Sequence, residues 1–162
     1  MPPGSGELLA LAGMMGSGKS TVARLLGQAL GRAVVSTDAI LAARFGKPIA
    51  RIFAEEGEAA FRDAERRVVG ALAGPIVVDL GGGAFCDAAS AGRLLAAGRV
   101  VFLDVSEAEA ARRLGAGEGR PLAAQWRALR EHRLPLYRRA HLTIEVDGLA
   151  PGEVARRILE AT

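Results

Sequence analysis

Hydrophobic positions along the chain follow two alternating rhythms. Leu8–Ala12 and Ile76–Val78 are short runs with no polar residue, and Val100–Val105 is apolar but for Asp104, the pattern of strands buried on both sides. Between them apolar residues recur every three or four positions. Val22, Leu25, Leu26 and Ala29 share a stripe in the stretch that Ser20 opens and Gly31 closes, and Phe61, Ala64, Val68 and Leu72 share one within Glu58–Leu72. Both predict amphipathic helices. Ala33–Val35 and Leu142–Val146 complete a set of five strands. Further helices are predicted over Thr37–Phe45, Ile49–Glu56, Ala88–Ala97, Ala123–Arg139 and from Pro151 onward. Another runs from Ser106, which with Glu109 has capping-box spacing, to near Leu114. Pro135 is expected to bend or break the helix that holds it. Strands alternating with helices predict an α/β fold of three layers, a mostly parallel five-stranded sheet with helices on both faces. Ligands of such sheets bind at the carboxyl ends of the strands.

The length of 162 residues fits one domain, 1–162, and no linker, repeat or low-complexity tract divides it. The glycine-rich stretch after Leu114 reads as a mobile loop, a short lid near residues 115–124. Half the residues are apolar, which excludes disorder. No apolar run approaches the roughly 18 residues of a membrane span, and the N-terminus lacks a basic signal-peptide region. A soluble, cytoplasmic protein is expected. Cys86 is the single cysteine and reads as a small apolar thiol.

The net charge is +3. The arginines are interleaved with acids, as in Arg62-Asp63-Ala64-Glu65-Arg66-Arg67, which fits solvated helix faces better than a nucleic-acid surface. Lysine is rare: Lys19 and Lys47 are the only two among 21 basic residues. A lysine at position 19 is therefore pointed.

Gly13-Met14-Met15-Gly16-Ser17-Gly18-Lys19-Ser20 matches G-x-x-x-x-G-K-[ST] with a strand before it and a helix after it. Such a loop turns backbone N–H groups and a helix N-terminus onto phosphates. The pattern assigns Gly16, Ser17, Gly18, Lys19, Ser20 and Thr21 to ATP, with Lys19 reaching the β- and γ-phosphates and Ser20 ligating Mg²⁺. Asp79, at the end of an apolar strand, is placed to join the Mg²⁺ shell through water. Its plainer role would be to cap a turn.

In this order and spacing, several further segments accompany the loop. They are Ser36-Thr37-Asp38, Ile52 to Glu58, Phe61-Arg62 with Glu65, Gly81-Gly82-Gly83, Arg120-Pro121-Leu122 and Arg133-Leu134-Pro135-Leu136-Tyr137. Together they make the chain resemble shikimate kinases, a branch of the nucleoside monophosphate kinase-like P-loop proteins, over nearly its whole length. The resemblance implies strand order 2-3-1-4-5 and transfer of the γ-phosphoryl of ATP to shikimate in aromatic amino-acid biosynthesis. It implies that Asp38 contacts substrate hydroxyls and takes the proton of the attacking one. Arg62 and Arg133 would hold the shikimate carboxylate, and Gly82 and Gly83 would offer backbone to the substrate. Arg120 would close over the phosphates, and Arg113 and Pro151 would flank the adenine. The implied partners are shikimate and ATP with Mg²⁺. A monomer with no nucleic-acid or membrane partner is expected.

The residues taken singly allow plainer roles. Arg62 and Glu65 lie three apart on one helix and could simply pair. Asp38 could cap the helix it opens, and Arg133 could be a surface arginine. Another small hydroxylated acid as acceptor, or nucleotide binding without turnover, stays open. Two departures from the family stand out. Shikimate kinases carry Asp-x-Asp where this chain has Ser36-Thr37-Asp38, while Asp79 occupies a position that is commonly small or hydroxylated there. The stretch between Arg120 and Arg133 is also short for the family.

Overall fold

The buried runs pair as their hydropathy predicts. The computed structural model describes residues 4–115 and 120–162, and the side chains of residues 120–123 lie outside the described set. The strands are β1 (Leu8–Ala12), β2 (Val34–Ser36), β3 (Val77–Asp79), β4 (Gly98–Asp104) and β5 (Leu142–Glu145). They form one parallel sheet in the order β2-β3-β1-β4-β5. Every residue of β1 is buried, because this central strand has a neighbour on each edge and helices on each face.

The helices are α1 (Lys19–Leu30), α2 (Thr37–Phe45), α3 (Ile49–Glu56), α4 (Glu58–Ala71), α5 (Ala88–Ala97), α6 (Glu107–Leu114), α7 (Arg120–Tyr137) and α8 (Pro151–Ala161). Local chemistry sets most of their ends. Ser36 caps α2, its hydroxyl accepting from Ala39 N–H at 3.2 Å, and Asp87 caps α5 through Ser90 N–H at 3.0 Å. Pro151 starts α8 at its first position. Among the described residues no helix is long and apolar enough to cross a membrane.

Three expectations need correction. Pro135 lies inside α7, which runs unbroken over it and ends at Tyr137, short of Arg139. Ser106 and Glu109 make only half a capping box. The Ser106 hydroxyl accepts from Glu109 N–H at 3.2 Å, but Asp147 takes the Ser106 N–H at 3.0 Å. The Glu109 carboxylate goes instead to Arg112 and Arg113. Asp38 is not the cap of α2; Ser36 holds that place, and the Asp38 carboxylate is left for other work.

Two cores of unequal size support these elements. The larger lies on both faces of the sheet and takes in Leu9, Leu11, Leu26, Phe102, Tyr137 and Ile158. The smaller consists of Leu41, Ile52, Phe61 and Val68, where α2, α3 and α4 meet.

Candidate active site

The carboxyl ends of β1, β2 and β3 lie side by side, so the segments that follow them share one edge of the sheet. After β1 the chain turns through the glycine loop into α1. Gly16 and Gly18 have φ of 85° and 88°, which side-chain-bearing residues rarely adopt. No side chain caps α1, so its first N–H groups remain available to an anion.

Lys19 folds over this loop. Its Nζ donates to Gly13 O at 2.6 Å and to Met14 O at 3.3 Å. Desolvation lowers its pKa to about 8, opposed by the negative charges of Asp79 and Asp38. Beside it, Ser20 Oγ donates to Asp79 Oδ2 at 2.7 Å. The strand-end carboxylate therefore meets the loop serine directly, a contact the sequence did not specify. Asp79 is also the register partner of Ser36 across the β2–β3 pair. The acid missing at position 36 thus reappears at the same level, one strand nearer the loop.

The segment Gly81–Gly83 is the hub of the other half. A Cβ at Gly81, Gly82 or Gly83 would come under 3.0 Å from Asp38, Arg133 and Arg62 respectively. The three side chains named from the sequence therefore each abut one glycine of the same turn. Burial raises the pKa of Asp38, Lys19 opposes the rise, and Asp79 adds to it.

The two arginines differ in how they are held. Arg62 Nη1 bonds Glu65 Oε1 at 2.8 Å, and its guanidinium lies 5.7 Å and 5.3 Å from the ring centres of Phe53 and Phe61. Glu65 is 1% exposed, its Oε2 has no partner, and burial raises its pKa. The plain pairing of Arg62 with Glu65 is therefore real, and Arg62 still borders Gly83. Arg133 has no carboxylate partner among the described residues; its Nη1 lies 3.8 Å from Met14 Sδ.

Some residues of this turn escaped the sequence reading. Thr37 is fully buried, and its hydroxyl accepts from Gly81 N–H at 2.8 Å. Tyr137, also fully buried, donates to the carbonyl of Gly82 and touches Met14 sulfur. Tyr137 was visible as one helical turn beyond Arg133 and on the same face. Thr37 had no signal beyond its place beside Asp38.

A cavity of about 460 Å³ runs along the loop and is lined by Gly16–Thr21, Asp38, Asp79 and Gly81–Gly82 among others. Gly83, Arg62 and Arg133 do not line it and stand beyond Gly82. An adjoining recess of about 500 Å³ shares Gly18 and Thr21 and is lined by Arg113 and Pro151 among others. Arg113 reaches the carbonyls of Gly16 at 3.3 Å and Val146 at 3.4 Å. Residues 116–119 of the lid expected near 115–124, and the Arg120 side chain, lie outside the described residues; from Arg120 onward the expected lid is instead the first turn of α7, which begins earlier than the expected Ala123.

A phosphate nest that leads past a strand-end acid to a pair of arginines is the arrangement of a P-loop kinase. Its family is narrower still. Residues 15–162 match the shikimate kinase family profile. The shikimate kinase of Streptomyces coelicolor is 44% identical, over 97% of this chain and 96% of that enzyme. That of Thermobifida fusca is 44% identical over 95% and 94%. The solved shikimate kinase from Acinetobacter baumannii, in complex with shikimate, superposes with a TM-score of 0.86 at 34% identity, covering 96% of this chain and 92% of that one. This chain belongs to the shikimate kinase family, phosphotransferases that use ATP and an alcohol acceptor.

Proposed function

We propose that this chain transfers the γ-phosphoryl group of ATP to the 3-hydroxyl of shikimate, giving shikimate 3-phosphate and ADP. The observation that carries the assignment is the convergence of Asp38, Arg133 and Arg62 on Gly81–Gly83 beside the loop. Arg133 and Arg62 bind the shikimate carboxylate, and planar guanidinium groups suit a planar anion. That anchor turns the ring hydroxyls toward Asp38. Asp38 accepts the proton of the attacking hydroxyl as its oxygen bonds to the γ-phosphorus. The bond from that phosphorus to the β–γ bridging oxygen breaks, and ADP leaves. Lys19 releases the carbonyls of Gly13 and Met14 and takes the β- and γ-phosphates, with Arg120 closing over them. Gly16–Thr21 hold the triphosphate, and Arg113 and Pro151 flank the adenine. Catalysis of this kind is positioning and charge stabilisation rather than covalent chemistry.

The residues fit Mg²⁺. Ser20 and Asp79 offer hard oxygens in contact with each other. Among the described residues no cluster of three or more His, Cys, Asp and Glu could hold a metal alone, so Ser20 and Asp79 would hold the ion together with the nucleotide's phosphates. When bound, Mg²⁺ neutralises phosphate charge. Ser36, engaged in capping α2, is a poor substitute for the absent acid. All of these groups come from one chain, and we assign the protein as a monomer working in the ATP-rich cytoplasm.

ADP release measured with and without shikimate, and across other small hydroxylated acids, tests the assignment. Release strongly dependent on shikimate is expected; equal release with any acid would sink it. Mn²⁺ binding to the ADP complex, read by electron paramagnetic resonance, should weaken far more in Asp79→Asn than in Ser36→Ala.

A further inference from the structure

A phosphate-binding loop has two sides. As its N–H groups turn toward the anion, its carbonyls turn away and need donors of their own. Here every carbonyl from Gly13 to Gly16 has one. Lys19 serves Gly13 and Met14 at 2.6 and 3.3 Å. Trp126 Nε1 serves Met15 at 3.0 Å. Arg113 Nη1 serves Gly16 at 3.3 Å. These donors come from α1, α7 and α6.

They are not equivalent. The Lys19 ammonium is the group that the proposed chemistry recruits for the β- and γ-phosphates. Trp126 has a single donor and is 5% exposed. Its N–H has no other partner among the described residues. The carbonyl it holds belongs to the same planar peptide as the N–H of Gly16. Fixing one fixes the direction of the other. Gly16, with φ 85°, tolerates peptide orientations closed to other residues.

We propose that Trp126 is a positioning residue for nucleotide, its indole N–H pinning the Met15–Gly16 peptide so that Gly16 N–H faces the phosphates before they arrive. The inference rests on the nucleotide site argued above. It also gives α7 a second task, because the helix that carries Arg133 toward the acceptor holds the phosphate loop in shape seven residues earlier.

Trp126→Phe keeps a ring in the pocket and removes only the donor. The dissociation constant for ADP, measured by calorimetry without shikimate, should rise about 3- to 10-fold, the worth of one neutral hydrogen bond. KM for ATP should follow it, while KM for shikimate stays within about twofold. An unchanged ADP affinity overturns the proposal. So does a loss shared equally by both substrates together with a lower thermal midpoint, the mark of simple packing. A second measurement needs no variant. Coupling is reciprocal, so ADP must strengthen the pin by the factor with which the pin strengthens ADP. Trp126 is the only tryptophan, and its indole proton gives an unambiguous NMR signal. Its exchange with solvent should slow several-fold on adding ADP; an unchanged rate overturns the proposal even if the variant does not fold. Failure of the unaltered protein to bind ADP would bring down the nucleotide site itself, a different result from binding that ignores Trp126.

Discussion

Lys19 follows a strand that is buried along its whole length, whereas Asp38 and Arg62 stand on helices whose shared core is four buried side chains, Leu41, Ile52, Phe61 and Val68. The nucleotide half of the site is thus fixed to the large core of the sheet. The acceptor half rests on a satellite core and one turn of glycines. Local stability scales with buried apolar contact, and segments that close on ligands come from its lower end. With the site roles proposed above, the contrast predicts greater local stability at the phosphate loop than at the acceptor side. Arg133 bridges the two, since it approaches the glycine turn from α7 and Tyr137 packs that helix into the larger core.

The sharpest break of this contrast is at Lys19. Lys19→Ala should lower turnover by about 10³ or more, the scale for losing a cation on the transferred group, with the thermal midpoint little changed. Because the lysine titrates near pH 8, ADP affinity of the free enzyme should fall as pH rises through about 8, and Lys19→Ala should abolish that dependence.

Next in size is Asp38→Asn, expected to lower kcat by about 10²–10⁴. The raised pKa of Asp38 in the free protein predicts that kcat/KM falls on the acid side at a higher pH than an ordinary carboxylate would give. The sign for stability is opposite. The folded state holds this proton more tightly than the unfolded chain, so the group loses stability as pH rises from its unfolded pKa through its folded one. Asp38→Asn should therefore melt higher than the parent at neutral pH, and the gain should vanish near pH 3. A variant that melts lower at pH 7 would contradict the raised pKa.

Arg133→Ala comes third. The loss of a charged hydrogen bond, ~1.5–3 kcal/mol, corresponds to a shikimate KM higher by about 10- to 150-fold with ATP KM nearly unchanged. Arg62→Ala is a less clean experiment, because it strands the buried carboxylate of Glu65. It should destabilise the fold as well as raise KM, and Glu65→Gln beside it should recover part of the stability. An unchanged KM in both single variants would reject the carboxylate clamp.

The smallest effects compare the two cores directly. Ile52 and Ile158 are both 0% exposed, one in each core. Ile52→Val and Ile158→Val should each cost about 0.5–1.5 kcal/mol of global stability. Only Ile52→Val should raise shikimate KM and hasten amide exchange in α2–α4. Identical behaviour of the pair would erase the contrast between the halves.

Much of this was legible in the sequence. The apolar runs and the loop motif located the sheet and the glycine loop that turns into α1, because strand burial and glycine geometry leave strong local signatures. Asp79 was readable as an acid at a strand end, but its direct hydrogen bond with Ser20 was not. Asp38, Arg62 and Arg133 were found as an ordered set, not from any one position. What stayed hidden depends on contacts distant in sequence. Trp126 and Met15 are 111 residues apart, and Thr37 meets Gly81 across 44. Neither spacing leaves a mark on the chain. The half capping box failed for the same reason, since Asp147, from beyond β5, took the amide that Glu109 was expected to hold.

The turn at Gly81–Gly83 carries a consequence for resistance to inhibitors. A compound seated against it would touch main chain, which point mutation does not recolour. Any replacement of these glycines puts a carbon against the side-chain ends of Asp38, Arg133 or Arg62, so escape by that route must displace a group that the proposed acceptor site uses.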